Sequence, residues 1–109
     1  MQDSLDLKDI YLQVAELYKV LHRFDEAFEA YDMALECHPA DITIYFTIAQ
    51  TYDRNLNQKE TAIEYYEKFL YGGSTDQQLF NANEDTLTPL ERHARERINI
   101  LKEDLFFEK

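Results

Sequence analysis

The chain has 109 residues and a mass of 13.0 kDa; it is 45% hydrophobic, with two glycines and two prolines. That composition excludes a disordered segment, leaves too few turn residues for a many-stranded β fold, and at this length predicts a single all-α domain. Twenty-two acidic against eleven basic residues give a formal charge of −11, which repels nucleic acid and anionic membrane surfaces and excludes both as default partners.

Leu7, Ile10, Tyr11, Val14, Ala15, Leu17, Tyr18 and Leu21 fall on the three-and-four spacing of an amphipathic helix, predicted over 5–21. A second helix is predicted over 24–37, with Phe24, Ala27, Phe28, Tyr31, Ala34 and Leu35 inward and His22 and Arg23 in the tight connection. Pro39 then blocks extension, and Asp41 can cap the next helix. The stretch Ile42 to Ile48 nearly alternates and is rich in β-branched and aromatic residues, so read locally it is a strand. The same slots earlier in the chain are helical, and that repetition outranks propensity, predicting a third helix over 41–54.

The fourth helix is predicted over 58–71, burying Ala62, Ile63, Tyr66, Phe69 and Leu70, and Gly72-Gly73-Ser74 ends it. A polar insertion to about Leu87 comes after it, long enough to be a mobile loop or to hold one short turn around Gln77 to Asn81. Thr88-Pro89-Leu90-Glu91 combines a capping box with proline at the first helical position and starts a fifth helix, whose stripe is Leu90, Ala94, Ile98, Leu101 and Leu105.

The pattern is written twice. Tyr11, Ala15 and Tyr18 recur thirty-four positions on as Tyr45, Ala49 and Tyr52, while Ala27, Tyr31 and Leu35 recur at thirty-five as Ala62, Tyr66 and Leu70. With Pro39 closing the first copy, positions 8–41 resemble a tetratricopeptide repeat through Tyr11, Val14, Ala15, Tyr18, Ala27, Tyr31, Ala34 and Pro39. Positions 42–75 resemble a second through Tyr45, Ile48, Ala49, Tyr52, Ala62 and Tyr66, with one extra residue in the Asn55 to Gln58 turn, Phe69 where a small residue is usual, and Ser74 in place of proline. The resemblance implies an all-α fold of antiparallel helical hairpins stacked as a right-handed α-solenoid. It would form one domain over 1–109: two repeats, a loop over 76–87 and a capping helix over 88–107.

The same resemblance implies a non-catalytic scaffold that holds a peptide or protein in a concave groove lined by the first helix of each repeat. Carried onto this sequence, the lining is Leu12, Gln13, Glu16, Lys19 and Val20 beside Phe46, Thr47, Gln50, Asp53 and Arg54. Phe46 and Leu12 would anchor apolar groups, and Gln13, Gln50, Lys19 and Arg54 would fix polar ones. The subgroup that grips the carboxylate end of chaperone tails uses lysine, asparagine and arginine at groove slots that here hold Leu12, Glu16 and Gln50, so that clamp is not expected. Two repeats are few for an array, and the chain reads as the C-terminal module of a longer repeat protein.

Other patterns give way to simpler ones. Asp53, Asn55, Asn57 and Glu64 have the spacing of a calcium loop, but Gln58 stands where its glycine belongs and the repeat already explains these residues; no metal or cofactor is expected. Cys37 and His38 are neighbours that point apart on a helix end, His22 lies in a turn and His93 on an exposed face. No phosphate loop, nucleophile elbow or metalloprotease helix is present to support an enzyme. Arg92, His93, Arg95 and Arg97 form a basic island on the fifth helix, read as pairing with Glu91, Glu96 and acids across the seam, with Arg92 and Arg95 open to a secondary contact. Leu105, Phe106 and Phe107 end the chain in apolar bulk; one or two of them are expected to fold onto helix four, and because two adjacent phenylalanines cannot both face inward, the other is left to seed a homodimer or meet a neighbouring domain. The lone Cys37 and an opening Met-Gln-Asp-Ser-Leu-Asp without signal-peptide order predict a cytoplasmic setting.

Overall fold

The computed structural model describes residues 7–71 and 87–108. Five helices succeed one another: α1 (Leu7–Val20), α2 (Phe24–Cys37), α3 (Thr43–Gln50), α4 (Lys59–Leu70) and α5 (Pro89–Glu108), with a π-helical turn, Thr51–Asn55, continuing α3. No strand occurs among the described residues, and the stretch that reads locally as a strand is helical from Thr43 on. The glycine pair and the insertion up to residue 86 lie outside the described residues. The chain forms two compact units, Met1–Ile44 and Tyr45–Lys109.

In the first unit α1 and α2 pack as an antiparallel hairpin, because small residues at the contact let two backbones approach closely. Ala15 on α1 and Ala27, Ala30 and Ala34 on α2 are buried, and Tyr31 is fully enclosed among them. The connection is only Leu21-His22-Arg23. His22 adopts φ 61°, and its N–H donates to the Lys19 carbonyl at 3.0 Å while the Arg23 N–H donates to the Tyr18 carbonyl at 2.8 Å. Those two bonds satisfy the helix-end carbonyls in the usual left-handed cap. Lys8 on α1 reaches Asp41, just before α3, at 2.8 Å, and the Asp41 carboxylate also accepts the Thr43 hydroxyl.

The second unit repeats the cap with one residue more. Asn57, thirty-five positions after His22, adopts φ 52°, and the Gln58 N–H donates to the Tyr52 carbonyl at 2.9 Å. Tyr52 corresponds to Tyr18 and Gln58 to Arg23, so the same hydrogen bond closes a loop longer by one residue. The π turn holds the surplus: the Leu56 N–H reaches five residues back to the Thr51 carbonyl at 3.2 Å. Thr51, fully buried, bonds its own hydroxyl to the Thr47 carbonyl at 3.0 Å, a side-chain competitor that loosens the α-helical ladder where the wider turn begins.

Helix α4 buries Ala62, Ile63, Tyr66, Phe69 and Leu70, the face its spacing predicts. Helix α5 runs antiparallel to it: Lys59 at the start of α4 pairs with Glu108 at the end of α5, and Lys102 with Glu67 at 3.4 Å. The capping box forms as expected, with the Thr88 N–H donating to Glu91 at 2.9 Å and the Glu91 N–H to the Thr88 hydroxyl at 3.2 Å. Ala94, Ile98 and Leu101 are buried with Leu87, while Leu90, at the head of the predicted stripe, stays exposed. Of the three apolar residues that end the chain, Leu105 is half-buried, whereas Phe106 and Phe107 are both largely exposed and pack edge to face against each other at 5.2 Å. Each stands about 100° from its neighbour around the helix, so Leu105, continuing the stripe, is the residue that turns inward.

Candidate interaction surface

The five α1 positions assigned to a groove occupy one side of that helix. Gln13, Glu16 and Val20 are exposed, and Leu12 and Lys19 are half-buried. Glu16 accepts the Tyr31 hydroxyl at 2.7 Å and approaches the Lys19 ammonium at 3.5 Å. The hairpin therefore fixes this carboxylate from behind and leaves it open in front.

In the second unit the corresponding positions divide. Thr47 and Gln50 are half-buried and Arg54 is exposed, but Phe46 and Asp53 are buried. The Phe46 ring lies 5.2 Å from Phe69, 5.8 Å from Tyr66 and 5.9 Å from His93. Both Asp53 oxygens accept from Arg97 at 2.8 Å, and Oδ2 also accepts the Tyr66 hydroxyl at 2.9 Å. One turn of α5, His93 to Arg97, thus covers two groove positions that lie two turns apart on α3 and its π extension. Phe46 and Asp53 serve the interior, and neither offers surface to a partner.

The electrostatics derive from that geometry. Burial pushes the Asp53 carboxyl up, but the hydrogen bonds from Arg97 and Tyr66 and the charges of Arg97 and Arg54 outweigh it and hold the group below its ordinary value. Burial, and then the bond to Asp53, raises the Tyr66 hydroxyl well above the tyrosine range. The bond to Asp53 keeps Arg97 still more firmly protonated. Asp53, first in the calcium-loop spacing, has both oxygens engaged, and no cluster of metal-ligating side chains occurs among the described residues.

The basic island separates in the same way. Arg97 pairs across the seam, Arg92 donates to the Leu87 carbonyl at 3.2 Å and Arg95 is exposed. His93 departs from the exposed position expected of it: it is half-buried, edge-on to Phe46, with a buried Nε2 that has no hydrogen-bond partner among the described residues. Its place one turn before Arg97 turns it toward α3.

Sequence reasoning missed an aromatic group on the outside of the second unit. Tyr65 stacks on Tyr52 at 5.7 Å and meets Tyr45 at 6.2 Å, with the Lys68 ammonium 4.7 Å from the Tyr65 centroid. The available signal was Tyr65 and Lys68 one turn apart on α4.

Residues 30–64 match the family model of the tetratricopeptide repeat. Over that window the chain is similar to a tetratricopeptide repeat. The matched window opens on Ala30 in α2 and closes on Glu64 in α4, enclosing α3 and the π turn. It straddles the boundary at 41 and 42 read from the sequence. Neither the curated proteins nor the solved structures give a match. No described helix is long and apolar enough to cross a membrane.

Proposed function

We infer that this chain is a non-catalytic protein-protein interaction module that holds a peptide or partner segment on the first helices of its hairpins. The tetratricopeptide match over residues 30–64 carries the reading, since repeats of this kind present helix faces to other polypeptides. In the first unit the exposed side of α1, where Gln13, Glu16 and Val20 stand together, supports it, and in the second unit so does exposed Arg54 in the π turn that continues α3. The α1 face by itself mixes apolar contact at Leu12 and Val20 with charges of both signs at Glu16 and Lys19, which suits an extended or helical peptide carrying both. The setting proposed for this activity is the cytoplasm.

Selection from a random-peptide display library against the full chain tests the proposal. Enriched peptides are expected to lose about tenfold in affinity to a Glu16→Lys, Arg54→Glu variant whose circular dichroism matches the parent. Enrichment of none, or equal binding to the variant, overturns it. A second reading, self-association, draws on the exposed pair Phe106 and Phe107; it requires a dimer in sedimentation equilibrium that Phe106→Ser, Phe107→Ser dissolves.

A further inference from the structure

Helix α1 has another face, separate from the side assigned to the groove. Leu7, Ile10, Val14, Leu17 and Leu21 succeed one another in steps of three and four, the spacing of a seam that one helix offers another. The hairpin uses a different side of α1: Ala15 is its buried residue, and Tyr11 and Tyr18 flank it half-buried. Along the seam Leu7 is 55% exposed, Ile10 41%, Leu17 65% and Leu21 61%. Lys8, Asp9, Glu16 and Lys19, the charged residues of α1, all project elsewhere around the helix. The result is an uninterrupted apolar stripe on a strongly charged molecule, a feature that marks an interaction site.

The sign of the surroundings selects the occupant. Residues 1–44 hold ten carboxylates against three lysine and arginine side chains, and the whole chain carries −11. A second copy would bring that same negative field against itself, which opposes pairing. A helix with apolar residues every third or fourth position and lysine or arginine along its flanks satisfies both the seam and the charge. We propose that the outer stripe of α1 docks a basic amphipathic helix of a partner protein.

The test titrates the full chain into a labelled synthetic peptide of roughly 18 residues, long enough to close several helical turns on binding. Leucines stand at three-and-four spacing and lysines elsewhere, and fluorescence anisotropy reports binding. Saturable one-to-one binding is expected, weaker by about tenfold for the same helix with glutamates and for a scramble of the lysine peptide. Leu17→Asp, or the milder Leu17→Ser should the first disturb the circular dichroism, is expected to weaken the lysine peptide by about tenfold. Arg54→Glu, which alters the proposed groove, leaves that binding unchanged, so the two surfaces fail or succeed separately. Equal binding of the scramble, indifference to the Leu17 substitutions, or a dimer in sedimentation equilibrium that Leu17→Asp abolishes each overturns the proposal, the last by making a second copy the occupant.

Discussion

Tyr31 and Tyr66 stand thirty-five residues apart at the same place in two helical hairpins, both fully buried, and each donates its hydroxyl hydrogen to a carboxylate on the preceding helical segment. In the first hairpin the acceptor is Glu16, more than half exposed at its side chain; in the second it is Asp53, only 4% exposed and gripped by Arg97 of α5. Gln50 occupies the slot matching Glu16, and the acid has moved one turn along into the π segment. A buried tyrosine needs a partner for its hydroxyl but does not dictate where the partner stands. What differs is the consequence: a water-facing carboxylate tolerates loss, whereas an enclosed one becomes the joint of three helical segments.

Truncation separates the two most sharply. Asp53→Ala leaves Arg97 and the Tyr66 hydroxyl without their shared acceptor and is expected to destabilise by about 3 kcal/mol in chemical denaturation, while Glu16→Ala is expected to remain below about 1 kcal/mol. Equal losses would break the contrast. Tyr66→Phe, which keeps the ring and removes one bond to a charged group, is expected to lower stability by about 1.5 kcal/mol, with Tyr31→Phe nearer about 0.5 kcal/mol.

Titration probes the same joint more gently, because a protonated carboxyl keeps its shape. The Asp53 value is depressed in the folded chain, so its contribution is complete above the ordinary carboxyl value of 3.8 and is lost as pH falls through the folded value. The Tyr66 value is raised, so its contribution is complete below the ordinary value of 10.0 and declines as pH rises beyond it. Denaturation midpoints measured across pH should fall at both ends, and Asp53→Ala should flatten the acid limb. Asp41, depressed chiefly by its bond to Lys8, adds a smaller acid dependence that persists in that variant.

The caps give the smallest test. His22 and Asn57 both hold left-handed backbone, which histidine tolerates less well than asparagine. His22→Gly is expected to raise stability by about 1 kcal/mol and Asn57→Gly by about half of that. A loss at either position would mean that its side chain contributes more than its backbone does.

Much of this architecture was legible in residue spacing. The alanine and tyrosine registers located the helices, Thr88 and Glu91 fixed the start of α5, and the predicted inner face of α4 is the buried one. The surplus residue between the two copies could be counted from the change of interval, yet its form as a π turn depended on the Thr51 bond and on which carbonyl Gln58 could reach. The groove was less legible. Phe46 and Asp53 occupy exposed slots by their repeat position, but Tyr66 and Phe69 of α4 and His93 and Arg97 of α5 pack against them.

Local sequence determines where this chain is helical, which face of a helix is apolar and where a turn must adopt left-handed backbone, because those properties arise from periodicity and side-chain sterics within a few residues. Tertiary structure alone decided that His93 and Arg97 lie over Phe46 and Asp53, and that the Leu17 stripe of α1 remains open. Burial is a property of neighbours distant in the chain, and no periodicity within one helix reports which of them arrives.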